Sequence, residues 1–326
     1  MSLQGITEGQ EVPAHGAAAQ AGYADPPRLG IAAYYTCFKG IVWREVLRYL
    51  HQRERFLSAL VRPLVWLFIF AAGFRQTLGV SIIPPYETYV LYEVFIAPGL
   101  IGMIQLFNAM QSSLSMVYDR ETGAMRTLLV SPFPRSYLLL SKLVGGVAVS
   151  LLQVYAFLLV AYYWGVEPGG PELVPSVGFT VDMPWYGDLD IRTPALLMGY
   201  LTVLPALILA GLMLGSLALF MSSVIKQLEN FAGVMNFVIF PMFFASSALY
   251  PLWRVKESSV LLYEICRLNP FTHAVELIRF ALYGQVNWMA LAVVLGCTVV
   301  FLGGAIYAYN PSKGLIARRG GPGAGA

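Results

Sequence analysis

Charge is what this sequence most lacks. Only 12% of its 326 residues are Asp, Glu, Lys or Arg, about half of the roughly 25% with which a soluble domain solvates its surface. That deficit excludes an ordinary soluble enzyme, because 57% of the residues are hydrophobic and they fall in long blocks. Cysteine is scarce as well. Cys37, Cys266 and Cys297 stand far apart with no CxxC pair, which excludes a disulfide framework and a zinc site built on cysteine. The chain contains no GxxxxGK[ST], no HExxH, no GxSxG and no dinucleotide-type glycine fingerprint, so it has no nucleotide-binding P-loop of its own. Of three histidines, only His273 has a neighbour at ligand spacing, Glu276 at i+3, and that reads as a surface polar pair. No catalytic constellation, cofactor, metal or nucleic-acid partner is expected.

What is present is apolar sequence in spans of membrane length. A spanning helix needs about 20 largely apolar residues. Six stretches qualify, at roughly 58–80, 88–114, 136–164, 194–223, 230–250 and 287–309. Backbone groups in hydrocarbon must be satisfied within the segment, and the alternation of barrel strands is absent. The expectation is therefore an all-α integral membrane protein with six transmembrane helices. Pro98, Pro205 and Pro241 fall inside spans, where each removes one backbone hydrogen bond. The fourth span carries Gly211 and Gly215 as a GxxxG pattern, which permits close helix contact inside one subunit or at a dimer seam.

Basic residues orient the chain. With the N-terminus in the cytoplasm, Lys39, Arg44, Arg48, Arg62, Arg120, Arg126, Arg135, Lys142, Lys226 and Lys313 fall on the inner side. Glu167, Glu172, Asp182 and Asp190 then fall outside. That is the positive-inside pattern, and it returns both termini to the cytoplasm. Residues 1–33, rich in Ala, Gly, Pro and Gln, read as a disordered cytoplasmic tail, and so do 313–326. Between them, 34–312 form the membrane domain. It opens with a basic amphipathic helix at 38–56: Trp43, Val46, Leu47 and Leu50 mark one face, and Arg44, Arg48, His51 and Arg55 another. Such a helix lies along the cytoplasmic interface. The Pro- and Gly-rich stretch 165–193 reads as an external loop, and 251–283 as external or re-entrant helices before the last span. There Asn269-Pro270 supplies a cap and a first-turn proline, with Glu276 and Arg279 spaced to pair.

The cores of the six spans are nearly free of charge, whereas ion- or proton-coupled carriers place ionisable groups near the membrane centre. The driving energy is expected to come from outside this chain. The most informative segment is the cytoplasmic stretch 118–132. Asp119, Arg120, Glu121 and Arg126 cluster charge there, Met125, Leu128 and Leu129 supply an apolar edge, and Ser131-Pro132 stops a helix. Periodicity alone leaves two readings open, a solvated connection or a short helix that docks into a groove on a soluble partner.

The pattern Asp119-Arg120-Glu121-x-Gly123-x-Met125-Arg126-x-Leu128-Leu129-x-Ser131-Pro132 resembles the coupling-helix region of ABC-2 type permeases. It is most similar to the branch of daunorubicin-type drug exporters and nodulation-factor exporters. The stretch Leu268-Asn269-Pro270-Phe271-Thr272-His273-Ala274-Val275-Glu276-Leu277-Ile278-Arg279 resembles that family's sequence before its final span. Many members carry an acidic residue where this chain has Arg126, and 165–193 is longer than usual. The resemblance covers roughly 38–310. It implies a permease subunit of an ATP-driven exporter in a bacterial inner membrane, working as a homodimer or with a paralogous permease, and coupled to two copies of a separate ATPase. Asp119, Arg120, Glu121 and Arg126 would then make charged contacts with the ATPase, Gly123 would allow close approach, Leu128 and Leu129 would pack into its groove, and Met125 and Pro132 would complete the segment. The rival reading is a membrane scaffold or assembly factor without transport activity.

Overall fold

The computed structural model describes residues 30–51, 53–74, 84–86, 91–121, 132–162, 179–183, 187–191, 193–225 and 227–308. Ten helices and one hairpin make up the described fold: α1 (Ile31–His51), α2 (Arg53–Phe74), α3 (Tyr92–Glu121), α4 (Arg135–Tyr162), β1 (Phe179–Met183), β2 (Gly187–Ile191), α5 (Thr193–Val224), α6 (Leu228–Phe244), α7 (Leu252–Ser258), α8 (Val260–Leu268), α9 (Pro270–Leu282) and α10 (Trp288–Ala308). The strands pair antiparallel, with Phe179 opposite Ile191 and Val181 opposite Leu189. Otherwise the described structure is helical.

Four helical stretches are long and apolar enough to cross a bilayer: Tyr92–Tyr118, Arg135–Tyr162, Gly199–Val224 and Trp288–Ala308. They coincide with the expected second, third, fourth and sixth spans. The expected first and fifth spans coincide with shorter apolar stretches, Ala59–Ile69 and Leu228–Phe244. α6 has 17 residues, about 25 Å at 1.5 Å per residue, and it ends before the expected boundary at 250. The cause is local. Ala245 N–H bonds the Pro241 carbonyl, and the side chain of Asn269 takes the carbonyls of Met242 and Ala245 at 2.8 and 2.7 Å, so the helix is closed there. The amphipathic element expected at 38–56 also differs in extent. α1 already starts at Ile31, inside the stretch read as tail, and a new helix starts at Arg53.

The exterior is apolar. Leu57, Val61 and Ile69 on α2, Leu152 and Leu159 on α4, Phe237 and Phe240 on α6, and Leu295, Val299 and Val300 on α10 are all exposed. In water so much contiguous apolar surface would drive aggregation; against lipid tails it is matched to its solvent. The chain is a multi-pass membrane protein.

α3 is the centre of the packing and touches α2, α4, α5, α6 and α9. Ile96, Leu100, Ile101, Leu106 and Met110 are fully buried along it. Close approach depends on glycine at two kinds of site. A Cβ at Gly99 would stand 2.6 Å from the Ala248 carbonyl oxygen and 2.7 Å from its Cα, so only glycine admits the 245–250 turn against α3 beside Pro98. On α5, a Cβ at Gly211 would meet Val147 Cγ1 at 3.2 Å, and one at Gly215 would meet Leu143 Cδ1 at 2.4 Å. The GxxxG face of α5 therefore packs on α4 within the chain.

Candidate functional site

Asp119, Arg120 and Glu121 form the last turn of α3, so the segment singled out at 118–132 begins as a direct extension of the central helix. Gly123, Met125, Arg126, Leu128 and Leu129 lie outside the described residues. Pro132 is exposed in the bend that leads into Arg135 at the start of α4. The segment thus connects the ends of two long helices that pack on each other.

Above that end, α3 carries a stripe of uncharged polar residues: Gln105, Asn108, Ser112 and Ser115, with Gln111 beside them. The spacing i, i+3, i+7, i+10 places the four on one helix face. Apolar surroundings demand partners for such groups, and two are found on other elements. Gln105 Nε2 donates to the Leu207 carbonyl of α5 at 2.8 Å. Gln153 Oε1 on α4 accepts from both Asn108 Nδ2 and the Tyr49 hydroxyl of α1, the latter at 2.9 Å. This network ties α1, α3 and α4 together through residues up to 104 positions apart.

Two cavities flank the stripe and share Asn108 and Gln111 as walls. One, of about 140 Å³, lies between α2 and α3 and is lined by Arg62, Pro63, Phe107 and Gln153 as well. The other, of about 50 Å³, lies under α1 and is lined by Glu45, Arg48, Tyr49 and Ser112. Glu45 is paired with Arg44 Nη2 at 3.2 Å and lies 4.0 Å from Arg48 Nη1. A Cβ at Gly145 would meet Glu45 Cβ at 3.3 Å, so glycine on α4 lets α1 settle closely. Arg62 stands with its guanidinium carbon 4.0 Å from the Phe107 ring centroid, a cation–π distance.

At the other end of α3 lies a buried charged cluster. Arg279 on α9 is 3% exposed. One of its nitrogens bonds the Glu276 carboxylate, another donates to the Ser247 carbonyl at 2.7 Å, and the guanidinium stacks 4.3 Å from the Phe95 ring centroid. Tyr86, buried against Phe95 and Tyr283, has its phenol pushed up to about 12 by burial, with Arg279 opposing. Burial drives Tyr283 in the same direction. Asn269 staples this region: Oδ1 caps α9 by accepting from Phe271 N–H at 3.0 Å, while Nδ2 holds the end of α6. His273 points to the Arg267 carbonyl at 2.9 Å, not to Glu276. Among the described residues no group of His, Cys, Asp or Glu is placed to hold a metal ion.

The Glu276–Arg279 pair follows from spacing, but its burial does not. The polar stripe was open to detection too, since its members sit at helical spacing in an apolar span. A search for charged residues passes over amides.

Among the described residues the arrangement consists of amides, hydroxyls and paired charges. It is built to hold helices in register and to admit polar groups between them. Residues 36–283 match the family described as ABC-2 type transporter. The chain is similar to the transport permease ycf38 of Pyropia yezoensis, 26% identical over 77% of this chain and 75% of that one. It is 28% identical to the ycf38 permease of Cyanophora paradoxa over 72% of this chain and 69% of that one. To YbhR of Escherichia coli, named as a multidrug ABC transporter permease, it is 26% identical over 60% of this chain and 45% of that one.

Proposed function

Because this chain belongs to the ABC-2 type transporter family, we propose that it is the membrane-spanning permease subunit of an ATP-driven exporter. It spans the membrane six times with both termini in the cytoplasm, α1 lying along the inner interface and α7–α9 forming external or re-entrant helices. Two permease subunits, identical or paralogous, assemble with two copies of a separate ATPase. ATP hydrolysis resides on that partner, a division with which the lack of a P-loop motif in this sequence agrees. The membrane is the bacterial inner membrane. The cargo is amphipathic or glycan- and lipid-like, a class suggested by the resemblance to drug and nodulation-factor exporters and by the name of the YbhR relative.

The match of residues 36–283 to the family is the observation that carries this reading. In mechanism, closure of the ATPase pair pushes on 118–132, with Asp119, Arg120, Glu121 and Arg126 in charged contact with the ATPase and Leu128 and Leu129 in its groove. α3 runs without interruption into Glu121, so the push tilts the helix that touches five others. The helices move as units because the amide network and the glycine contacts couple them. An outward path then opens between two permease copies.

Purification of the tagged protein in mild detergent tests the proposal. A P-loop ATPase should be recovered in stoichiometric amount, and be lost on replacing Glu121 and Arg126 with Ala. Recovery of the intact chain alone, or with a partner that is not an ATPase, would favour the scaffold reading.

A further inference from the structure

We propose that the cavity between α2 and α3 is a binding site for a phosphate group carried by an amphiphile. Arg62 is the cation of this site. It sits inside the apolar helical stretch Ala59–Ile69, where a cation is costly unless paired or solvated. No ion pair to Arg62 occurs among the described residues. An arginine so placed would ordinarily extend its stem toward water. Arg62 is exposed on α2, and the Phe107 ring, 4.0 Å from its guanidinium carbon, holds it beside the cavity it lines.

The rest of the wall is rich in donors. Gln111 and Asn108 contribute carboxamides from α3, and Gln153 contributes its own from α4. The Oε1 of Gln153 is already engaged twice, by Tyr49 and by Asn108, so what it has left to offer is N–H. A planar guanidinium beside amide N–H groups, with no carboxylate among the described residues of the wall, is the donor pattern that suits a phosphate. Pro63, Met103 and Ile104 form the apolar remainder. Val61 and Val65, flanking Arg62 on α2, are exposed, which gives an acyl chain a surface to follow. The volume of about 140 Å³ admits a headgroup phosphate. This site rests on the membrane-spanning reading alone and not on coupling to an ATPase, so it can fail while that coupling stands.

The test is native mass spectrometry of the full chain in mild detergent with added phosphatidylglycerol or the phosphate-free diacylglycerol of the same acyl chains, with and without sodium phosphate. The expected result is selective retention of one phosphatidylglycerol per chain. R62Q should lower that occupancy at least about tenfold, R62K should lower it less, and R135Q, altered outside the cavity, should leave it unchanged. Retention that survives millimolar inorganic phosphate assigns the phosphate to a lipid, and displacement assigns it to a soluble phosphate compound. Equal retention of the diacylglycerol, or unchanged retention in folded R62Q, overturns the site. Should R62Q fail to fold, Q111A decides, because it removes a donor and leaves the cation: lost selectivity supports the site and undiminished selectivity overturns it.

Discussion

Replacing Arg279 with Met probes how the turn at 245–250 and α9 are fastened to the N-terminal end of α3. Met keeps much of the side chain's length and removes its charge. It leaves the Glu276 carboxylate without its partner and the Ser247 carbonyl without its donor. Breaking a buried ion pair from one side costs about 3 to 5 kcal/mol. Because the Glu276 side chain remains 19% exposed, the lower part of that range, about 3 kcal/mol, is expected. The double variant R279M/E276M removes both charges and leaves only the Ser247 carbonyl unsatisfied, at about 1 to 2 kcal/mol. The double variant should thus be more stable than R279M alone, with a coupling energy well above 1 kcal/mol. Equilibrium unfolding in mixed detergent–SDS micelles, followed by tryptophan fluorescence, measures all members of the cycle. Additive costs, or an R279M variant within about 0.5 kcal/mol of wild type, the range of a neutral surface change, would refute the reasoning.

Three further outcomes follow from the packing. G99A should destabilise by about 1 to 3 kcal/mol or more, since the added carbon meets backbone and not a movable side-chain tip. G233A, with nothing within 4 Å, should be neutral or stabilising by up to about 1 kcal/mol; both are read as thermal midpoints in detergent. N269A removes a cap and two bonds to the end of α6, and should cost about 2 to 4 kcal/mol by the same assay. Tyr86 governs part of the alkaline limit. In the unfolded chain its phenol ionises near pH 10, while in the fold it stays neutral to about 12, so its contribution is complete below pH 10 and is lost as pH rises toward 12. Y86F should therefore flatten the decline in stability over that window, measured by unfolding at stepped pH.

The apolar blocks made the helical, membrane-embedded character legible, because hydrocarbon leaves the backbone few alternatives. Local chemistry was legible as well. Asn269-Pro270 starts α9 as its cap and first-turn residues, and Glu276 pairs with Arg279 one turn on. What escaped the sequence depends on contacts between distant segments. Nothing near Asn269 indicates that its amide also closes α6, and nothing near Gln153 points to Tyr49, 104 positions away. The length of α6 was misjudged for the same reason, as its end is set by a residue two elements later. The Gln105–Asn108–Ser112 stripe carried a usable signal at helical spacing. Of the segment 118–132, the structure adds that Asp119–Glu121 continue α3.

The most direct test of the account is ATP hydrolysis by the permease reconstituted in liposomes with its partner ATPase. Wild-type permease should raise the ATPase rate over that of the isolated ATPase. E121A/R126A should abolish that stimulation while the permease stays folded and membrane-embedded. Stimulation undiminished by the double substitution would contradict coupling through 118–132, and no stimulation by the wild-type chain would contradict the permease assignment itself.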